Sequence, residues 1–183
     1  MPGMAFRIAL YGAEAPARFI EVDSKTKRTL DGEVLAENAA ILQYIADRFP
    51  SAGLAPRDGM PRSRVHQWLC FIGTELHKAL FVPLFDPGLP DEVKKRTLEN
   101  GDTRLAYLDT HLNGREFLLE HFSIVDAYLF TVLNWKLATP VDLERWPRVQ
   151  NYYARLKQRP SIARALSEEH ALYAAEQARH RAA

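Results

Sequence analysis

The chain has 183 residues, of which 47% are hydrophobic, so it can bury a substantial core and is not a disordered protein. Its 24 basic and 23 acidic residues leave a net charge of +1, which gives no electrostatic argument for nucleic acid or an acidic membrane as a partner. Cys70 is the only cysteine, which excludes an internal disulfide; with no export signal and no membrane-length apolar run, we expect a cytoplasmic protein.

The first fifty residues have a mixed α/β pattern. Apolar and other residues alternate over residues 6–11 and again over residues 17–22, which is typical of short strands. Residues 36–49 place their apolar side chains on one face and predict a helix that Pro50 ends. Residues 51–61 are rich in Gly and Pro, which indicates a linker.

Residues 62–183 are predicted to form a domain of five or six helices. The predicted helices cover residues 62–81 (with Pro83 beyond the end), 91–112 and 123–137, and two more open at Trp146-Pro147 and at Pro160. The 123–137 segment is apolar on every side, which is typical of a helix at the centre of a bundle. Ser123 and Asp126 have the spacing of a capping box at its start.

Several segments resemble the bacterial beta-class glutathione transferases. Residues 122–130 (Phe-Ser-Ile-Val-Asp-Ala-Tyr-Leu-Phe) resemble the family's capping motif and central helix, and residues 35–47 resemble the segment leading into the third helix of its thioredoxin-like domain. Residues 74–78 (Thr-Glu-Leu-His-Lys) resemble the first long helix of the helical domain, and residues 22–27 resemble the end of the second strand. These matches occur in the family's order from about residue 8 to about residue 168.

The resemblance implies a mainly α fold. Residues 62–183 would form the all-helical glutathione-transferase C-terminal domain, joined by the 51–61 linker to a reduced thioredoxin-like α/β lobe at residues 1–50. Such a small lobe cannot bury a core alone, so it should pack on the helical domain or on a second subunit. Because the family dimerises through this region, we expect a homodimer.

The resemblance also implies a site for glutathione as co-substrate. Glu37 matches the acid that receives the γ-glutamyl amine, and Asn38 stands where the family has Ser or Gly. Lys27 matches the base that pairs with the glycyl carboxylate, while His77 and Lys78 match residues that face the cleft from the helical domain. The aromatic residues proposed to line an apolar cleft for a small-molecule co-substrate are Trp68, Phe81, Phe85 and Tyr107.

Each of these residues also has a structural interpretation. Glu37 can serve the dipole of the following helix, worth about 1 kcal/mol or less, and Lys27 can lie in a solvated turn. His77 can be a hydrogen-bonded histidine, and aromatic residues at helical spacing are more often core than cleft. His66 and Cys70 share a helix face with His77, but no further ligand completes a set, so we expect no metal site.

Two parts of the family's sulfur-handling site have no counterpart here. On the register of the resemblance, residues 8–23 match the first helix and second strand, so no residue inherits the role of thiol activator and none is assigned as catalytic. A hairpin with a cis-proline, which pairs with the cysteinyl backbone, needs two strands of roughly five residues and a turn. Only Glu33 and Val34 lie between Gly32 and Leu35, too few for that hairpin.

A second register keeps a catalytic tyrosine open. If residues 6–11 form a strand, Tyr11 falls near the strand end, where some transferase classes place their activating hydroxyl. Only residues 12–16 would then precede the next strand, which is too short for a parallel crossover, so the pair would form an antiparallel hairpin.

The sequence therefore predicts a glutathione S-transferase-like protein whose conjugation of glutathione to apolar electrophiles is weak or absent. The alternative is a non-catalytic binding or interaction protein derived from the same fold.

Overall fold

The computed structural model describes residues 4–15 and 35–182, with side chains described as far as residue 174. Within these ranges every regular element is helical. The α-helices are α1 (Met4–Gly12), α2 (Asn38–Arg48), α3 (Gly59–Phe71), α4 (Val82–Leu84), α5 (Asp91–His111), α6 (Ile124–Leu133), α7 (Pro147–Lys157) and α8 (Pro160–Ala182). A π-helical segment, Ile72–Phe81, joins α3 to α4, and short 3₁₀ turns occupy Pro50–Ala52, Asn134–Ala138 and Leu143–Arg145.

Helix α1 corrects the strand predicted over residues 6–11. Met4, Ala5, Ile8 and Ala9 are fully buried, and their spacing puts them on one face of a helix. That face packs against α6 and α8. In a segment of six residues the hydrophobic pattern of a helix and that of a strand cannot be told apart, so burial against these neighbours decides for the helix. The match of this segment to the family's first helix is therefore confirmed. The strand predicted over residues 17–22 lies outside the described residues.

The long helix predicted over residues 62–81 is longer than expected at both ends. It begins as α3 at Gly59, inside the predicted linker, and continues through the π-helical segment into α4. Pro83 lies inside this continuous helix rather than beyond its end, and the helix stops one residue later, at Leu84. The neighbouring Val82 N–H bonds to the carbonyl of His77 in the five-residue pattern of a π-helix.

Helix α6 lies at the centre of the bundle, as predicted from its uniform apolar character. All ten of its residues are buried, and the capping box of Ser123 and Asp126 is present at its start. The Asp126 carboxylate accepts four hydrogen bonds: Oδ2 from the Ser123 N–H (2.9 Å) and hydroxyl (3.0 Å), Oδ1 from the Leu118 N–H (2.9 Å) and the Tyr152 hydroxyl (2.7 Å). One carboxylate therefore joins the start of α6, the preceding loop and α7.

The remaining helices surround α6. The predicted helices over residues 36–49 and 91–112 are confirmed as α2 and α5, with ends shifted by two residues or fewer, and the helices predicted to open at Trp146-Pro147 and at Pro160 are confirmed as α7 and α8. Helices α1 and α2 pack against each other and both contact α6, so the described part of the predicted N-terminal lobe rests on the helical domain. In the described part of the chain, no helix has the length and apolar character needed to cross a membrane.

Replacing Asp126 by alanine should lower the free energy of unfolding by about 3 kcal/mol or more, because the buried N–H and O–H donors it satisfies would lose their acceptor. Urea denaturation followed by circular dichroism measures this difference. Asp102→Ala is the matched control: Asp102 pairs with Arg145 in a more solvent-exposed ion pair, so its loss should cost about 1 kcal/mol or less. Equal losses in the two variants would contradict the role assigned to Asp126.

Candidate functional site

The π-helical segment presents His77 to a tyrosine of the central helix. The His77 Nδ1 atom lies 2.8 Å from the hydroxyl oxygen of Tyr128, whose side chain is almost wholly buried in α6. Trp135 packs against the same imidazole with its ring edge-on, at a centroid separation of 4.8 Å. π-Helical turns are rare and are frequent at functional sites, which directs attention to this position.

The start of α2 meets the same tyrosine from the other side. The Asn38 side chain lies near the Tyr128 hydroxyl and lowers the pKa of that phenol, and the charge of Glu37 acts on both Tyr128 and His77. Three of the residues predicted to bind glutathione (Glu37, Asn38 and His77) are therefore brought together, although 39 positions separate Asn38 from His77 in the chain. Lys78 is exposed beside His77, and Lys27 lies outside the described residues.

The direction of the hydrogen bonds follows from the ionisation of Tyr128. Burial raises the pKa of this phenol, so the hydroxyl keeps its proton at neutral pH, and the nearby Asn38 side chain acts in the opposite direction. A side-chain amide that lowers a phenol pKa presents its N–H to the oxygen. The Tyr128 hydroxyl then donates to His77 Nδ1, which leaves the proton of the neutral imidazole on Nε2.

His77 is held neutral at pH 7. Burial lowers the pKa of its imidazole, the adjacent Lys78 lowers it further, and Glu37 opposes both. No other described side chain hydrogen-bonds to the ring. The Nε2–H group is therefore available to donate to a ligand atom, such as a thiolate or a carbonyl oxygen.

Glu37 has an unfavourable backbone conformation. Its φ is 69° and its ψ is 125°, a region that residues with a Cβ atom rarely adopt and that costs on the order of 1–3 kcal/mol. The residue occupies the N-cap position of α2, yet its exposed side chain makes no capping hydrogen bond. The first N–H groups of α2 and the Glu37 carboxylate thus remain available to a ligand that carries both a carboxylate and an amine.

The four residues predicted to form an apolar cleft fall into two separate clusters. Phe81 and Phe85 both contact Trp135, at centroid separations of 6.1 and 5.4 Å, so they belong to the His77 site. Trp68 and Tyr107 stack on each other at 6.0 Å, on α3 and α5. Phe81 and Trp68 are buried and serve mainly as packing, whereas Phe85 and Tyr107 are 43% and 48% exposed.

One residue of the site, Tyr128, was not among the predicted binding residues, whereas Trp135 is one of the aromatic residues that could line an apolar cleft. The sequence feature that could have identified Tyr128 is its hydroxyl group, because a tyrosine buried in an otherwise apolar central helix needs a hydrogen-bond partner. Trp135 follows directly after α6, in the 3₁₀ turn Asn134–Ala138, and nothing in the sequence pattern shows which neighbour it contacts.

Tyr11 does not occupy the position required of an activating hydroxyl. It lies in helix α1 rather than at the end of a strand, and its hydroxyl hydrogen-bonds to Glu168 of α8. Burial raises the pKa of this phenol, and Arg164 stacks over the ring at 4.0 Å. The strand-end geometry on which the catalytic interpretation of Tyr11 depended is wrong.

The described residues contain no group of three His, Cys, Asp or Glu side chains placed to hold a metal ion. On the helix face considered for metal binding, His66 instead accepts a hydrogen bond from Arg62 at 3.2 Å, and Cys70 is exposed.

Comparison with known families and proteins identifies consistent relatives. The family model described as "Glutathione S-transferase, C-terminal domain" matches residues 75–169. Glutathione S-transferase GstA of Escherichia coli O157:H7 is 39% identical over 141 residues, which span 76% of this chain and 70% of the relative. Glutathione S-transferase GST-4.5 of Xanthomonas campestris is 35% identical over 150 residues, covering 76% and 72% of the two chains.

Solved structures give the same result. A sphingomonad glutathione S-transferase complexed with glutathione is 35% identical and superimposes with a TM-score of 0.83, covering 93% of this chain and 95% of the other. A bacterial beta-class glutathione S-transferase of Sphingomonas chungbukensis is 37% identical, with a TM-score of 0.82 and coverage of 92% and 94%.

The ionisation of His77 should make stability depend on pH. Because folding holds the pKa of His77 below its ordinary value of 6.5, the unfolded chain takes up this proton first as the pH falls. The free energy of unfolding should therefore decrease as the pH is lowered through 6.5 and stop decreasing below the folded-state pKa. In His77→Gln this part of the decrease should disappear.

Urea denaturation at a series of pH values between 7.5 and 5 tests this dependence. His170→Gln, which removes an exposed histidine of α8, is the control and should keep the pH dependence of the parent protein. A His77→Gln variant with an unchanged pH profile would show that His77 is not held neutral by the fold.

Proposed function

The chain belongs to the glutathione S-transferase family, as its resemblance to the bacterial beta class predicted, and from this premise we propose that it binds glutathione and conjugates it to apolar electrophiles weakly or not at all. The observation that carries the proposal is the convergence of Glu37, Asn38 and His77 on Tyr128. Glu37 and Asn38 lie at the start of α2, and His77 lies in the π-helical segment. Residues from two separate elements therefore meet here, and the backbone of Glu37 is strained.

The polar ends of glutathione suit the groups at this position. The Glu37 carboxylate would pair with the γ-glutamyl amine, and the first N–H groups of α2 would bind the γ-glutamyl carboxylate. Lys27 would pair with the glycyl carboxylate, with Lys78 as a second cation at the rim. The glutathione complex of the sphingomonad relative supports the choice of ligand.

Weak conjugation would follow from the ionisation state of the glutathione thiol. An unperturbed thiol has a pKa of roughly 8.5, so only a few per cent is thiolate at neutral pH. On the register of the resemblance, no residue of the sequence matches the family's thiol activator, and only Glu33 and Val34 lie between Gly32 and Leu35, too few for the cis-proline hairpin. The Nε2–H group of His77 would be a remaining donor to the thiolate, which attacks the electrophilic carbon as the leaving group departs.

An apolar co-substrate would lie beside His77. Phe85 is partly exposed and packs edge-on against Trp135, which also contacts the His77 imidazole. Of the predicted cleft residues, Phe81 supports this wall from the buried side, whereas Trp68 and Tyr107 belong to the other aromatic cluster.

Glutathione binding tests the proposal directly. Isothermal titration at millimolar glutathione should show saturable binding to the parent protein and its loss in Glu37→Ala, because the carboxylate that receives the amine is removed. Glu92→Ala is the matched control, since Glu92 is an equally exposed acid in the first turn of α5 and should leave binding unchanged. Conjugation to 1-chloro-2,4-dinitrobenzene should be slow in the parent protein and about ten-fold slower in His77→Phe.

The variant Glu37→Gly separates ligand contact from a purely structural role. Glycine tolerates a φ of 69°, so this variant should be as stable as the parent protein or more stable by about 1 kcal/mol, while still losing glutathione binding. Retained binding in both Glu37 variants would exclude the proposed site. No binding by the parent protein at millimolar glutathione would favour the non-catalytic binding protein.

We further propose that the protein is a homodimer that associates through its N-terminal lobe, residues 1–50, with residues 51–61 as the linker and residues 62–183 as the helical domain. Tyr44 of α2 is 43% exposed, which is a large aromatic surface for a lobe of this size. Sedimentation velocity at micromolar concentration should show a species of about twice the 20.9 kDa chain mass, and Tyr44→Lys should shift the population towards monomer. A parent protein that sediments as a monomer would contradict this proposal.

A further inference from the structure

Arg62, in the first turn of α3, uses every N–H group of its guanidinium. Nη1 donates to Asp47 Oδ1 at 2.9 Å and to the Pro56 carbonyl at 3.3 Å. Nη2 donates to Asp47 Oδ2 at 3.1 Å and to the Gln43 side-chain oxygen at 3.2 Å, and Nε donates to His66 Nε2 at 3.2 Å. A guanidinium has five N–H donors, so all of them are satisfied. This one side chain therefore joins α2, the linker and α3.

The contacts with α2 fix the direction of that helix. Gln43 and Asp47 lie one helical turn apart on the same face of α2, so Arg62 holds the second half of the helix at two points. The pair with Asp47 is bidentate, and two parallel bonds between planar groups fix their relative orientation. The Arg62 side chain is 14% exposed, which limits competition from water for these bonds. A lysine could not reproduce the contacts, because its ammonium group lacks the planar fork.

Gln43 extends the network to the first turn of α2. Its side-chain oxygen accepts from Arg62, while its Nε2 group donates to the carbonyl of Ala39 at 3.1 Å. An amide that bonds on both sides in this way has only one orientation. Ala39 directly follows Asn38, and Glu37 precedes both, so the network that begins in α3 ends beside the proposed glutathione site.

Apolar packing leaves the orientation of α2 less well defined. The buried residues of this helix are Leu42, Ile45 and Ala46, which hold it against the bundle. Because hydrophobic burial is non-directional, such contacts resist the separation of α2 more than its tilting. A strained backbone such as that of Glu37 persists only where the surrounding structure holds it. The hydrogen bonds of Arg62 supply a directional constraint of this kind.

We propose that Arg62 is a positioning residue that sets the tilt of α2 and thereby holds Glu37 at the distance from His77 that glutathione requires. Its two partners in α2, Gln43 and Asp47, lie about 8 and 14 Å beyond Asn38 along the helix axis, so Arg62 acts on the site through the helix. The consequence for the ligand rests on the proposed glutathione binding. The positioning itself can be measured without any ligand.

Nuclear magnetic resonance of the ligand-free protein tests the positioning alone, with the His77 signal identified by its absence in His77→Gln. In the parent protein Glu37→Gln should lower the His77 pKa, because the charge that raises this pKa is removed. In the Arg62→Gln background the same substitution should lower the pKa much less, since α2 no longer holds Glu37 near the imidazole. Arg145→Gln is the matched control: it loses a bidentate pair with Asp102, and in this background Glu37→Gln should act as in the parent.

Glutathione binding tests the consequence for the site. In isothermal titration Arg62→Gln should raise the Kd about ten-fold with unchanged stoichiometry, because the site is misaligned rather than lost. Arg62→Lys should have a similar effect, since it keeps the charge but not the fork, and Arg145→Gln should bind as the parent protein does. A variant that is only less stable would instead keep the Kd and bind less glutathione per mole of chain.

The two measurements can fail separately. An equal effect of Glu37→Gln on the His77 pKa in the parent and Arg62→Gln backgrounds would overturn the positioning role. So would an unchanged glutathione Kd in Arg62→Gln. If the parent protein binds no glutathione, the proposed function fails, and the resonance measurement still decides whether Arg62 sets the position of α2.

Discussion

The arrangement of this protein depends on one buried carboxylate. Asp126 accepts four hydrogen bonds from the start of α6, the loop before it and Tyr152 of α7, with none of its surface exposed. Burial raises the pKa of this carboxyl, and the four donors oppose that effect. Because an ionised carboxylate is stable in a core only with such partners, the geometry of all three segments is fixed together.

The position of α6 in turn determines the candidate site. Tyr128 lies two residues after Asp126 in the same helix, so the network that fixes the start of α6 also fixes the backbone from which Tyr128 projects. The Tyr128 hydroxyl contacts His77 of the π-helical segment, and Asn38 at the start of α2 lies near it. Helix α2 and the π-helical segment thus meet at a buried side chain of the central helix, and the pKa of His77 is affected by Glu37, which precedes α2, and by Lys78.

The aromatic residues divide the helical domain into two surfaces of different character. Around His77, the rings of Trp135 and Phe85 make an apolar wall next to a single neutral imidazole. Around Tyr107, a stacked aromatic wall lies beside Arg64 and Arg115, which form no ion pair with any described carboxylate. The described part of the helical bundle therefore presents two separate aromatic surfaces that differ in charge.

The sequence by itself determined the features that local pattern encodes. The capping box of Ser123 and Asp126, the apolar central helix, the ends of α5 and the start of α7 follow from the pattern within one segment, and the resemblance to the transferases places Glu37, Asn38 and His77 in order along the chain. Local pattern could not decide whether residues 6–11 form a strand or a helix, because only the contacts of α1 with α6 and α8 favour one period. Nor could it show that Tyr128 joins Asn38 to His77, or that Trp68 and Phe81 belong to different clusters. These features depend on which distant side chains meet, and only the packed tertiary structure brings them within contact distance.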